Sequence, residues 1–240
     1  MTTSKLTPIA SQEKTKMNSN LLFFIIFCTS ISICLADIGN LYDACPTNMT
    51  AKQTVFINGF PCKNFSRIIA PDFKTSKLNH AGDTDNFLRS SVNIVTAADF
   101  PGLNTLGLSI ARTDLEVDGR VMPHSHPRAS ELFFLSKGVV LAGFIDTNNT
   151  LFQSFIKAGD VILFPRGLFH FCVNAGFEPV TAFSVLNSQN PGVVSISGAM
   201  LETNSELIDN ITRRLISVPP SELKRISNTS LAKFSRIHTQ

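Results

Sequence analysis

From about Val55 to Gly198 the chain alternates short apolar segments with Gly, Pro, Asn and Asp. Leu106, Leu108 and Ile110 alternate with Gly107, Ser109 and Ala111, a period of two that puts the sets on opposite faces of a strand. Phe152, Ser154 and Ile156 oppose Leu151, Gln153 and Phe155 in the same way. Val161 to Phe164 read as a buried run stopped by Pro165 and Gly167. Strands at this spacing, with no helical pattern between them, predict a β-sandwich or barrel. The tail changes period. Leu207, Ile211 and Leu215 form a helical stripe that starts at Asn204 or Ser205 as N-cap and stops at Pro219-Pro220. Ser221–Ile226 and Ser230–Ile237 read as two more short helices. Helices of that length are marginal alone, so they pack on the sheet or on another subunit.

Ahead of the sheet, Leu21 to Cys28 are unbroken apolar residues, extended weakly through Ile31–Leu35 to Ala36, with Lys14 and Lys16 just before them. The run is too short, and too interrupted by Thr29, Ser30 and Ser32, for a membrane span. It fits a secretory signal cleaved after Ala36, with a signal anchor as the rival reading. The polar stretch before it is long for such a signal. Met17 is an alternative start, although it would remove both lysines. No second apolar stretch of spanning length follows.

Composition narrows the class. With 240 residues, 43% hydrophobic and 16% charged, the chain is too apolar for disorder and long enough for one generous core. Trp is absent and Tyr occurs once against 20 Phe, so the core rests on Phe and aliphatic side chains. Net charge is +3 with no basic cluster, which argues against nucleic-acid binding. Loss of residues 1–36 would leave 18 basic and 17 acidic side chains, near neutrality. It would also remove Cys28 and Cys34 and leave Cys45, Cys62 and Cys172. In an oxidising compartment Cys45 and Cys62 are the expected disulfide, worth about 3 kcal/mol for so short a loop. Cys172, among Phe169, Phe171 and Val173, reads as a small buried residue. N-x-S/T sequons at Asn48, Asn64, Asn148, Asn210 and Asn228 are glycosylation candidates. Asn148 lies in a predicted exposed turn, Asp146-Thr147-Asn148-Asn149.

The chemistry concentrates in four side chains. His124 and His126 are two residues apart, so on a strand they share a face with Cα atoms roughly 6.5 Å apart. They reach one ion only if they converge inward, as inside a small barrel. Glu131 follows closely enough to return an oxygen ligand. His170 follows Pro165-Arg166-Gly167, where a tight turn can swing a neighbouring strand across the same cavity. Taken singly, each His reads as a loop residue or a satisfied core histidine. Together, three neutral nitrogens and a carboxylate suit a divalent first-row ion and leave open positions if it is octahedral. A closed structural zinc site would more often recruit Cys.

Two stretches carry a family resemblance. Gly119 to Gly138 is similar to the first cupin motif, a glycine, then His-x-His, Glu and a later glycine, with the departure that Asp118 stands where that motif usually begins with glycine. Gly159-x5-Pro165-x-Gly167-x2-His170-x3-Asn174 resembles the second cupin motif at every fixed position. Phe100-Pro-Gly-Leu-Asn-Thr-Leu-Gly107 and Asn187-Ser-Gln-Asn-Pro-Gly192 narrow the resemblance to plant germins and germin-like proteins. The segments around Cys45 and Val55-Phe-Ile-Asn-Gly-Phe-Pro-Cys62 are similar to that family's N-terminal disulfide region.

The resemblance covers residues 37–240. It implies a mainly β fold, a single jelly-roll barrel with short C-terminal helices. It divides the chain into an N-terminal extension and signal (1–36), a disulfide-bonded segment (37–62), the barrel (63–200) and a helical extension (201–240). It further implies manganese on His124, His126, Glu131 and His170, with Asn174 holding the turn beyond His170 rather than touching the ion. Homo-oligomers, dimers assembled into a hexamer, and secretion to the plant cell-wall space complete the expectation, with a link to defence or wall oxidative chemistry. Oxalate-oxidising germins present asparagine amides to their substrate. The matching positions here are Ala111 and Val121, which cannot donate, so oxalate oxidation is not expected. Superoxide dismutation is the favoured activity. Non-enzymatic binding of a small, auxin-like carboxylate and a purely structural wall oligomer are the alternatives.

Overall fold

The computed structural model describes residues 43–51, 59–201, 205, 206, 208, 212, 213, 217 and 219. Its strands are β1 (Ser90–Val95), β2 (Ser109–Leu115), β3 (Arg120–Ser125), β4 (Glu131–Lys137), β5 (Val139–Ile145), β6 (Leu151–Lys157), β7 (Val161–Phe164), β8 (Phe169–Asn174), β9 (Val180–Leu186) and β10 (Val194–Ser195), followed by helix α1 (Ile196–Leu201). They form two five-stranded antiparallel sheets, in the orders β1-β2-β9-β4-β7 and β10-β3-β8-β5-β6. The strand pattern predicts a sandwich or barrel, and this is the jelly-roll barrel that the family resemblance implies. The apolar core between the sheets includes Leu115, Phe133, Leu135, Val140, Ala182 and Ile156.

Three local expectations are corrected. The strand around Ile110 begins only at Ser109, and its inward positions are Ser109, Ala111, Thr113 and Leu115, while Leu108 is exposed. Small side chains face inward here because the barrel leaves a cavity on this side. The segment from Val161 to Phe164 is not a buried run: Val161 is 57% and Leu163 53% exposed. It forms β7, whose outward face, like that of the neighbouring β4, is open to solvent, so only the inward-facing members of the alternation are covered. The sheet reading toward Gly198 ends early. Ser195 accepts from Gly198 N–H at 2.8 Å, a cap that starts α1 where no helical period was read.

On the outer face of β2, Arg112 grips both carboxylate oxygens of Asp114 and donates to Leu78 O at 3.0 Å, while Asp114 accepts from Gly82 N–H at 2.9 Å. Those bonds strap residues 78–82 onto the sheet. The Cys45–Cys62 disulfide is formed, and Cys172 is buried and free, both as expected. In the tail, Glu206, Ile208, Thr212 and Arg213 are helical, and Ser205 Oγ accepts from Ile208 N–H at 3.4 Å, the N-cap contact anticipated for Ser205. Leu207, Ile211, Leu215, the signal stretch and everything after 219 lie outside the described residues.

Leu135 is wholly buried at the centre of the core. Leu135→Ala is expected to lower unfolding free energy by about 2–5 kcal/mol in chemical denaturation.

Candidate metal centre

The four predicted ligands come together inside one end of the barrel. His124 lies on β3 and His170 on β8, as directly paired Cα partners. His126 follows β3, and Glu131 opens β4 in the facing sheet. One ligand atom from each lies within 4.8 Å of every other. Ligands about 2 Å from a common ion would be spaced on that scale.

The convergence depends on a local irregularity. Val121 pairs with Cys172 and His124 with His170, so β3 spends three residues where β8 spends two. Val121 and His124 differ in parity, yet both line the cavity. The extra residue at Met122–Pro123 makes this possible, and Pro123 suits a bulge because it has no N–H to lose from the ladder. On β8 the preceding turn closes through Leu168 N–H to Pro165 O at 3.3 Å, with Gly167 at φ +77°, a left-handed conformation that a residue with a Cβ adopts at a cost.

Each imidazole is fixed at the nitrogen facing away from the cluster. His124 Nδ1 lies 3.0 Å from Met122 O, His170 Nδ1 3.0 Å from Leu168 O, and His126 Nδ1 2.7 Å from Gly192 O. A carbonyl only accepts, so these contacts place the proton on Nδ1 and leave the Nε2 lone pair inward. Glu131 Oε2 sits 3.1 Å from His126 Nε2 and 3.2 Å from His170 Nε2. Glu131 Oε2 and His170 Nε2 are buried without a hydrogen-bond partner. Acceptors facing acceptors at that range require a cation between them, and this donor set fits a divalent metal ion. Phe164 stacks on the His170 ring at 4.5 Å and 16° and holds its plane.

Electrostatics follow the same pattern. Burial, then repulsion from His170, lowers the His124 pKa to about 4. Burial would raise the Glu131 pKa, but the adjoining His126 and His170 imidazoles hold it well below the usual carboxylate range. For His126 burial is outweighed by the bonds to Glu131 and Gly192 O, and its pKa is raised. The Glu131 carboxylate thus favours the charged form of His126 in the metal-free protein. Burial, followed by the charge of Glu131, pushes the Cys172 thiol up to about 12, so it is no thiolate.

Beside the ligands the cavity measures about 20 Å³, room for about one water. Ala111 and Val121 line it, with Val92, Ile94, Thr113 and Leu186. Asn174 ties the far end of β8, donating to Glu116 O at 2.9 Å and Glu178 O at 2.8 Å and accepting from Gly176 N–H at 2.9 Å. It holds a turn, as expected. Asn48 is half-buried, and Asn64 and Asn148 are exposed; Asn210 and Asn228 lie outside the described residues. The residues that sequence reasoning missed act through backbone oxygens: Met122, Leu168 and Gly192. Only the Asn-Pro-Gly192 turn signal marked one of them.

A family model described as Cupin matches residues 76–214. The chain is 56% identical over 191 residues to Germin-like protein subfamily 3 member 4 of Arabidopsis thaliana, covering 80% of this chain and 90% of that one. Among solved structures it is similar to Peruvianin-I, a cysteine peptidase from Thevetia peruviana latex, with TM-score 0.62, 40% identity, and coverage of 67% of this chain and 98% of that one. It is also similar to an oxalate oxidase, with TM-score 0.67, 31% identity, and coverage of 84% and 96%.

The pKa shifts fix a pH dependence for the metal-free protein. Between pH 6.5 and about 4 the unfolded chain protonates residue 124 while the folded ring stays neutral. The unfolded state then binds more protons, and stability falls as pH falls through that window. Glu131 adds the same sign at lower pH. His126 has the opposite sign but acts above this window, because its raised pKa contributes stability that is complete below 6.5 and lost as pH rises through the folded value. Thermal unfolding is expected to show the midpoint dropping on acidification through this window, with a flatter slope in His124→Gln.

Proposed function

Because the chain belongs to the germin-like proteins of the cupin family, we propose that it is a secreted, manganese-binding oligomeric glycoprotein of the plant apoplast that dismutates superoxide and serves defence or wall oxidative chemistry. The observation that carries this reading is the set of three inward Nε2 atoms and one unpartnered carboxylate oxygen beside a cavity of about 20 Å³. Manganese, when bound there, would supply a one-electron couple able to oxidise one superoxide and reduce the next. His124, His126, His170 and Glu131 would hold it. Raw affinity does not favour manganese, the weakest of the first-row series, so the hard Glu131 oxygen, open positions and metal supply must select it.

The chain's other residues set the substrate. The cavity, with room for about one water, restricts a ligand to a very small molecule. At Ala111 and Val121 it offers no hydrogen-bond donor to a dicarboxylate, and a site lacking such donors discriminates poorly for one. That supports superoxide over oxalate, and the small volume weighs against an aromatic, auxin-like acid. A peptidase role like that of Peruvianin-I is not supported, since the free cysteine among the described residues, Cys172, is buried and protonated.

Secretion is supported by the disulfide and by the Leu21–Cys28 run, which lies outside the described residues. No helix of the described residues is long and apolar enough to cross a membrane. Asn48, Asn64 and Asn148 stand at positions a glycan can reach. Self-association is supported by the outer face of the β9-β4-β7 sheet. There Leu132 is the Cα partner of both Leu163 and Val185, and Phe134 of Val161, and all five are exposed. A contiguous apolar patch of this kind marks an interaction surface.

Two experiments test the proposal. Metal analysis of the secreted protein is expected to find manganese, with dismutation above free manganese at equal metal and no oxalate turnover. His170→Ala is expected to lose both metal and activity, whereas a metal-free wild type would sink the reading. Leu163→Asp, at an exposed position, is expected to shift the assembly to smaller species in sedimentation velocity. An unchanged mass would remove this face from the interface.

A further inference from the structure

The segment Asn187–Gly192 runs alongside residues 126–130 and meets the ligand cluster at both ends. Ser130 N–H donates to Asn187 Oδ1 at 2.7 Å, fixing the residue before Glu131. Arg128 donates its backbone N–H to Pro191 O at 3.1 Å and its Nε–H to Asn190 O at 2.7 Å. Gly192 O takes the Nδ1 proton of His126 at 2.7 Å. Gly192 has φ +68°, and a Cβ there would lie 2.8 Å from Arg128 Nη2, so guanidinium and glycine backbone fit without slack.

The middle of the segment is anchored to a different part of the molecule. Gln189 O accepts from Ala97 N–H at 3.1 Å, and Gln189 Oε1 accepts from Thr105 N–H. Next to Thr105, the wholly buried Asn104 carboxamide joins both arms of the disulfide-bonded segment. It donates to Cys45 O at 3.0 Å and to Phe60 O at 2.8 Å, and accepts from Phe60 N–H at 2.9 Å. Cys45 is buried but Cys62 is exposed, so a dithiol can reach the bridge.

We propose that the Cys45–Cys62 disulfide and the metal cluster are coupled through Asn104, Gln189 and Gly192, so that the closed disulfide tightens metal retention and bound metal protects the disulfide from reduction. The coupling rests on the metal-binding reading above. In the redox step a dithiol reductant gives two electrons and two protons to the Cys45 and Cys62 sulfurs. The S–S bond breaks, and the reductant closes to its own disulfide. The two arms that Asn104 holds are then no longer cross-linked, and ordering them falls to its hydrogen bonds alone. Gln189 loses its fixed anchor, and with it the Gly192 carbonyl that sets the tautomer and plane of His126. Gln189 is thus a positioning residue. Groups that orient a metal-bound imidazole are worth about 10–100-fold in metal affinity. Linkage makes the effect reciprocal between metal and disulfide.

The test is competition of manganese(II) against a chelator, on purified full-length protein. Cys45→Ser/Cys62→Ser and Gln189→Leu are each expected to bind manganese about tenfold more weakly than wild type, and Gln189→Glu, which keeps the acceptor oxygen, to recover most of the loss. Removing the disulfide from Gln189→Leu is expected to cost less than about twofold more, because the route is already cut. Thiol labelling is expected to show manganese slowing reduction of the wild-type bridge by dithiothreitol, and this arm decides alone if the double serine variant does not fold. Wild-type protein that binds manganese equally well with the bridge open or closed overturns the coupling. So do full, independent losses from the two changes, or no protection of the bridge by metal. Wild-type protein that binds no manganese overturns the metal reading, and the coupling with it.

Discussion

Glu131 Oε2 faces imidazole nitrogens that have no proton to give it, because each ring has committed its N–H to a main-chain carbonyl. A carboxylate buried among acceptors is costly unless positive charge sits with it. The charge of Glu131 raises the basicity of His126, and the same geometry suits a metal ion between the donors. Burial is the leading cause of both the depressed basicity of His124 and the raised thiol of Cys172; the Glu131 charge adds to the second and opposes the first.

The two sheets divide the work. The β3–β8 pair carries His124 and His170, while the facing sheet contributes Glu131 from β4 and the small inward side chains of β2 that keep the cavity open. Because the ligands come from both layers, the ion would lie where the sheets meet. Its retention therefore depends on how the two sheets pack against each other as well as on the segment that orients His126.

Much of this was legible in the sequence because it rests on periodicity. The single residue between His124 and His126 puts them on one face of any strand, and the turn residues before His170 announce a reversal whatever it leads to. The disulfide followed from the Cys45 and Cys62 spacing. Other features were hidden. An extra residue at Met122–Pro123 leaves no trace in an apolar–polar pattern, since Val121 and Met122 are both apolar. Val161 to Phe164 looked buried because four consecutive apolar residues do not reveal which face of the sheet is open to solvent. The carbonyls of Met122, Leu168 and Gly192 belong to no particular side chain, so residue identity could not point to them. The helix at Ile196–Leu201 is only six residues long, too brief for a 3.6-residue period to stand out.

The bulge on β3 has a consequence for anyone who would move this centre into another barrel. Copying three histidines and a glutamate onto a regular strand pair would turn either Val121 or His124 to the outside, because an uninterrupted strand cannot present both inward. The portable unit is a stretch of backbone with its irregular count intact, and a graft that omitted one residue of it would leave a ligand stranded in solvent.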